Sequence, residues 1–412
     1  MNSTNSILVY AERLSNIRQI SISCSLHNPA TSETQASITS DGQTLAVDHD
    51  GVKTSVQLPG SVLPSQQINP VWPVGTKDLS WRLPLAPASS ISQEEQTVPW
   101  SAGDLQPETP ITCRQCHATV VDAGLVKVWK DLPSENWAEM MEFWHCHKPD
   151  HAHTHAHDEN LASRAYGANS RISAQSGVGF VDLTSLLLSE TDISASTITQ
   201  SLSSIGLNQK TGDCVETPET EQSNALQTEN SPIFCVSCKS QLGVLNDQTS
   251  VSLFKWRVHL SEKAQPATRI VPSLEHCFSA MLLATMARSG CSKSIILPMK
   301  VQGQSNRNGL QTTKTSSQLL NIWVFNSNIA FSSTQLANSV LAVKVFYRMV
   351  SQTEADKLLD SMTSDVQDIN LPADAISEVL DTLNRSNGFL PPSNRLFKEW
   401  KVGLLEKWDE DQ

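Results

Sequence analysis

Long hydrophobic runs are missing from this 412-residue chain. No stretch approaches the ~18 apolar residues that a membrane-spanning helix needs. Met1 to Arg13 shows no basic segment followed by an apolar core, so no secretory signal is expected there. Charge is sparse at 17%, and 30 basic against 42 acidic residues leave a formal net charge of −12. That balance argues against a general nucleic-acid binder, which needs a basic face to displace counterions from phosphates. There is no Gly-x-Ser-x-Gly elbow, no phosphate-binding loop and no dinucleotide fingerprint; Gly177-Val178-Gly179 lacks the third glycine and the following helix. The hydrophobic share of 39% is low for a globular protein, and Ser, Thr, Asn and Gln fill much of the remainder. Part of the chain is therefore expected to be polar loop. The length allows two or three domains of about 100–200 residues. A soluble, intracellular protein is expected, cytoplasmic and also nuclear.

What is present is cysteine in a pattern. Nine cysteines, an odd number with no export signal, do not read as a disulfide framework. Four of them form two Cys-x-x-Cys pairs, Cys113/Cys116 and Cys235/Cys238. Each such turn aims two thiolates at one spot, and Zn²⁺ takes four ligands in a tetrahedron. Two turns from different hairpins would complete one closed, structural zinc site that pins distant strands. The competing readings are two unrelated turns and a redox dithiol, although neither pair sits between a strand and a helix as redox chemistry prefers. Cys146 and His147 are further candidate ligands, able to join a site or to replace one of the four. Otherwise Trp144 is core and its polar neighbours cap a helix end. The alternating run His151, His153, His155, His157 reads as a solvated loop that binds divalent metal adventitiously. Cys277 lies near an apolar helix stripe and reads as core. Cys291, between Arg288 and Lys293, is the candidate nucleophile outside the metal set.

Four segments follow from the patterning. Residues 1–86 alternate in short apolar runs such as Ile20, Ile22, Cys24, cut by Asp41-Gly42, Asp50-Gly51 and Pro59-Gly60, and predict a β-sandwich or barrel-like unit. Residues 87–110 read as a Pro/Ser/Gln linker. Residues 111–260 form a β region with a polar insertion at 149–232, within which Gly177–Leu183 is a single strand. In the same region Val120–Trp129 predicts a strand pair around Gly124, and Ser134 caps a helix to Trp144. Residues 261–412 predict an α+β region: a helix over 274–287, strands over 319–326 and 340–349, a helix capped by Thr353, and another from Pro372 to Asn387-Gly388. A last segment from Ser393 places Phe397, Trp400, Leu404, Leu405 and Trp408 near one face. The fold class is α+β, β-rich at the N-terminus and through the zinc-pinned part, with a C-terminal α+β unit.

Several blocks resemble a known family. Leu132-Pro133-Ser134-Glu135-Asn136-Trp137, followed by Trp144 and Cys146-His147, lies between the two Cys-x-x-Cys turns, and Leu242-Gly243 follows the second. Ile322–Ser327, Ala342–Tyr347 and a tail with Leu390-Pro391 and Ser393 continue the likeness. The chain resembles the HECT-like ubiquitin-conjugating-enzyme-binding family, whose members are named as ubiquitin-protein ligases. The resemblance implies binding of a ubiquitin-conjugating enzyme and promotion of ubiquitin transfer to proteins. It also implies an alternative, since members are linked to the pre-mRNA 3′-end cleavage machinery: a non-catalytic adaptor or chaperone. A HECT ligase carries ubiquitin on a cysteine near its C-terminus, whereas here no residue after Cys291 is a cysteine. The paired turns also resemble the β-tent zinc folds, in which two hairpins share one metal. Trp137 and Trp144 are core if buried, and partner-binding residues if they line a groove.

Overall fold

Alternation of small and apolar residues sets the first strands, and pairing between distant segments sets the rest. A computed structural model describes residues 7–63, 75–87, 98–132, 174–194, 196–199, 231–246, 249–260, 271–299, 318–361 and 365–409. They divide into two units: the described parts of Met1–Val98, Ser273–Met299 and Leu310–Gln412, and those of Pro99–Pro272.

The first unit opens with β1 (Leu8–Leu14), β2 (Gln19–Ser25), β3 (Gln35–Ile38), β4 (Thr44–His49), β5 (Val52–Gln57) and β6 (Asp78–Pro84). The second unit holds β7 (Ile111–Cys113), β8 (Thr119–Val121), β9 (Val128–Asp131), β10 (Val178–Val181) and β11 (Ser185–Ser189). It continues with β12 (Ile198–Thr199), β13 (Ser231–Cys235), β14 (Gln241–Leu245), β15 (Ser250–Phe254) and β16 (Val258–Leu260). The first unit resumes with α1 (Leu274–Ser289), β17 (Lys293–Pro298), β18 (Gln318–Ser333), β19 (Val340–Ser351) and α2 (Gln352–Asp360). It ends with β20 (Val366–Leu371), α3 (Ala373–Asn387), β21 (Leu396–Phe397) and β22 (Trp400–Glu406). The protein is thus α+β and β-rich.

In the first unit nine strands form one sheet, ordered β21-β22-β19-β18-β1-β2-β6, with β17 and β20 branching from β18. The long β18 pairs with β17 along Leu320–Trp323 and with β1 along Ala330–Ser333. The N-terminal and C-terminal regions, separate in the sequence reading, therefore share a sheet. The physical reason is an edge: the β1–β2–β6 meander leaves one side of β1 with unpaired amides and carbonyls, and β18 takes them up. Ile20, Ile22 and Cys24 are buried, as their alternation requires. They pack with Leu45, Val47 and Val56 of the separate β3-β4-β5 sheet.

Ser273 caps α1 by accepting the His276 amide, and Gly290 closes it at φ +71°. The predicted Thr353 cap is corrected to Ser351, whose hydroxyl accepts the Glu354 amide at 3.2 Å. The segment after Ser393 is a strand hairpin. Trp400, Val402 and Leu404 are buried on alternate positions of β22, a period-two pattern that Gly403 and Leu405, also buried, obscure in the sequence.

Glu275, half-buried on α1, accepts the Glu406 amide at 2.7 Å. Burial is the main influence on its carboxyl and pushes it up, with the Glu406 charge adding. The amide hydrogen bond and the His276 and Arg385 charges offset only part of this. A carboxyl raised in the fold holds a proton that the unfolded chain releases. Its contribution is complete below the unfolded range and is lost as pH rises through the folded value. Glu275→Gln, which keeps the acceptor, is expected to be more stable than wild type at neutral pH. The difference should close toward about pH 4, near the ordinary carboxylate range, in urea titrations.

In the second unit seven strands run β12-β13-β14-β15-β11-β10-β9, and three run β16-β7-β8. The predicted pair around Gly124 is corrected. Its halves, β8 and β9, lie in different sheets, β8 pairing with β7 and β9 running parallel to β10. The single strand expected at 177–183 is half of a hairpin with β11. Of the expected linker, the described residues 98–110 bury Trp100 and Leu105. Lys255, fully buried, donates its ammonium hydrogens to the carbonyls of Pro99 and Trp100.

Candidate functional site

Two hairpin turns carry the chemistry. The first joins β7 to β8 in the three-stranded sheet; the second joins β13 to β14 in the seven-stranded sheet. They are built alike. In the first, the His117 amide donates to the Cys113 carbonyl at 2.9 Å and the Cys113 amide to Ala118 at 2.8 Å. In the second, Lys239 donates to Cys235 and Cys235 to Ser240, both at 2.9 Å. The residue after each second cysteine is left-handed, His117 at φ +61° and Lys239 at +64°. This tight reversal brings the two sulfurs of a Cys-x-x-Cys pair to the same side. Gly243, just beyond the second turn, lets β15 close in, because a Cβ there would lie 1.9 Å from the Ser252 carbonyl oxygen.

The turns meet. Cys113 Sγ lies 3.6 Å from Cys238 Sγ, and Cys116 Sγ 3.5 Å from Cys235 Sγ. All four sulfurs fall within 4.8 Å of one another. A tetrahedral ion with Zn–S bonds of ~2.3 Å would space its sulfurs about 3.8 Å apart. The cluster is therefore close enough to hold one metal ion and is compatible with zinc. A disulfide, at ~2.05 Å, is not what these separations describe. Cys113 and Cys235 are buried, whereas Cys116 and Cys238 are partly exposed. The Ser240 hydroxyl bridges the turns, 3.1 Å from Cys238 Sγ and 3.6 Å from Cys113 Sγ. Burial pushes the Cys238 thiol up, but hydrogen bonds from the Ser240 hydroxyl and amide and from neighbouring thiols outweigh it and bring it down to about 6. The Cys116 thiol goes the other way: the Ala118 backbone hydrogen bond lowers it, but burial and the hydrogen bonds shared with Cys235, Cys238 and Cys113 push it up to about 12, so an ion that binds all four sulfurs must displace protons. The spacing of the four cysteines is visible in the sequence; the part played by Ser240 is not, although it follows the second pair by two positions.

Of the other sequence candidates, Trp137, Trp144, Cys146, His147 and the histidine run 151–157 lie outside the described residues. Cys277 is fully buried. Cys291 sits in the turn after α1, its thiol donating to the Ser289 carbonyl and accepting from the Gln367 amide, each at 3.6 Å. Neighbouring Lys293 lies over the Trp323 ring at 5.2 Å. Among the described residues no helix is long and apolar enough to cross a membrane.

A β-rich α+β protein with a four-cysteine cluster joining two sheets is the class that fold and site define. The model of the HECT-like ubiquitin-conjugating enzyme (E2)-binding family matches residues 12–402, and the chain belongs to that family. An uncharacterized protein of Saccharomyces cerevisiae is 24% identical over 333 residues, covering 79% of each chain. An uncharacterized protein of Schizosaccharomyces pombe is 25% identical over 359 residues, 85% of this chain and 89% of its own. A protein of Pongo abelii named as an E3 ubiquitin-protein ligase is 24% identical over 315 residues, 71% of this chain and 72% of its own. No solved structure matches. The partner that the family implies is a ubiquitin-conjugating enzyme.

Proposed function

We propose that this protein binds a ubiquitin-charged conjugating enzyme and holds it beside a protein substrate. Ubiquitin then passes directly to the substrate: the lysine amine attacks the thioester carbonyl and the conjugating enzyme's thiolate leaves. The observation that carries this reading is the E2-binding family match, which spans 12–402 and so takes in both units. Direct transfer is favoured over a thioester on this chain because, among the described thiols outside the cluster, Cys24 and Cys277 are buried and that of Cys291 is hydrogen-bonded to Ser289 and Gln367. The cluster Cys113, Cys116, Cys235, Cys238 is proposed to hold one Zn²⁺ in a β-tent-like arrangement. With four protein ligands the ion has no open position, so its role is to tie two sheets together. Free cysteines suit a reducing compartment, and cytoplasm and nucleus are the proposed locations.

The surface proposed to receive the enzyme is an aromatic patch on the first unit. Leu396, Phe325 and Phe397 are exposed by 63%, 55% and 43%. Buried Phe346 supports both rings, its centroid 4.6 Å from Phe325 and 5.0 Å from Phe397, and Lys398 flanks the latter. Exposed apolar patches mark protein contacts, and anchored aromatic rings tend to dominate their energy. The test reconstitutes the full chain with activating enzyme, ATP, ubiquitin and a panel of conjugating enzymes. Faster ubiquitin discharge to lysine is expected with at least one of them. Phe325→Ala with Phe397→Ala should weaken binding of that enzyme about ten-fold, since ~1.4 kcal/mol lost from an interface is a factor of ten. Binding without faster discharge would instead favour the adaptor reading; no binding to any of them would overturn the ligase reading and leave an adaptor for another protein.

A further inference from the structure

We propose that His27, His49 and Asp50 form a second metal site, separate from the cysteine cluster, that takes a divalent zinc ion. The three donor atoms lie within 4.8 Å of one another, in the first unit. His49 ends β4, and Asp50 is the next residue, in the two-residue turn to β5. There Asp50 and Gly51 are both left-handed, at φ +50° and +76°. This turn type favours Asp-Gly, and it swings the Asp50 carboxylate back over its own strand end. His27 arrives from the loop after β2.

The environment is built for a cation. The His49 side chain is fully buried and that of His27 is 11% exposed, while Asp50 is 37% exposed. His49 Nδ1 is hydrogen-bonded to the Thr34 hydroxyl at 2.9 Å, which orients the ring and leaves Nε2 pointing at the carboxylate. Such a partner on the remote ring nitrogen is the usual support of a metal-binding histidine. His49 Nε2 and both nitrogens of His27 are buried without a hydrogen-bond partner. Asp50 Oδ2 lies 3.4 Å from His49 Nε2 and 3.7 Å from His27 Nε2, longer than ordinary hydrogen bonds. These are instead separations of ligands around a common ion, since bonds of ~2.0–2.1 Å at tetrahedral angles put donors about 3.4 Å apart. Buried polar atoms left without a partner are unfavourable, and an ion at this point satisfies one from each ring. Asn28 donates to Asp50 Oδ2 at 3.0 Å and steadies the carboxylate.

Two imidazoles and one carboxylate form a neutral-nitrogen and oxygen donor set suited to Zn²⁺, with the fourth position left for water on the exposed Asp50 side. The ion would clip the β4–β5 turn to the end of β2, above the core that the small sheet shares with β1 and β2.

The test measures zinc in the full chain. The parent protein carries His151, His153, His155 and His157 all replaced by alanine, which removes adventitious binding. Asp50→Asn keeps the side-chain volume and the tolerance for a left-handed backbone, and His27→Gln is the second variant. After loading with zinc and gel filtration, each variant is expected to hold one zinc fewer than the parent. In titrations its affinity for that ion should fall by ~10-fold or more, since even outer-shell losses at zinc sites reach this size. With cobalt as the probe, the parent-minus-variant spectrum should show a weak visible band without thiolate charge transfer. Equal zinc content in the parent and both variants would overturn the proposal, as would a difference spectrum carrying thiolate bands.

Discussion

Serine at Cys113 or at Cys238 is expected to destabilise the second unit by several kcal/mol, to a similar extent in each case. The free energy of a structural zinc, on the order of 10 kcal/mol in small zinc-binding peptides, is folding free energy, because the unfolded chain offers no preformed site. Cys113 belongs to the β7–β8 turn and Cys238 to the β13–β14 turn, yet their sulfurs lie 3.6 Å apart. Losing either should release the same ion. The double variant should therefore cost little more than either single one, a large coupling in a double-mutant cycle. Urea denaturation of the four proteins, with and without a strong chelator, measures this. Chelation should bring wild type down to the level of the variants and leave them unchanged. Additive losses would mean two independent turns, and the proposed zinc would then be abandoned.

The second large effect is expected at Lys344→Met. Lys344 on β19 donates to Glu12 on β1 at 2.6 Å, and the Tyr10 hydroxyl donates to the same carboxylate at 2.8 Å. The Glu12 side chain is 6% exposed and that of Lys344 is 18% exposed. Methionine would fill much of the lysine's volume but leave the carboxylate buried without its counter-charge, at a cost of roughly 3–5 kcal/mol. Burial, followed by the Glu12 charge and hydrogen bond, pushes the Tyr10 hydroxyl well above its usual range, so tyrosine stays a neutral donor and does not replace the lost positive charge. Equilibrium unfolding in urea at neutral pH measures this loss. A loss below about 1 kcal/mol, the range of an exposed ion pair, would show that the pair is solvated.

Legibility followed sequence distance. Two helices of the C-terminal region were readable because their signals lie within a few turns of one another: an apolar stripe marks α1, and Pro372 and Gly388 bracket the stripe of α3, whereas the cap of α2 was misplaced by two residues. The cysteine pairs were readable because the two sulfurs of each turn are three residues apart. By contrast, the strand around Gly177 was seen without its partner β11, whose Leu186, Leu187 and Leu188 are all buried and so do not alternate. The hairpin ending in β22 was missed because buried residues on both parities hide its period.

Length, composition and local pattern alone determined that the chain is α+β, that its sequence holds no apolar run of about 18 residues, and that four thiols come in two matched turns. Those properties depend on neighbours within a helical turn or a hairpin. Tertiary structure decided the rest: that β1 and β18 share a ladder, that Glu12 meets Lys344, that Ser240 leans on two sulfurs, and that His27 faces His49. Each of these joins residues whose closeness is set by strand register and by the packing of shared cores, and neither is encoded in any local stretch of the chain.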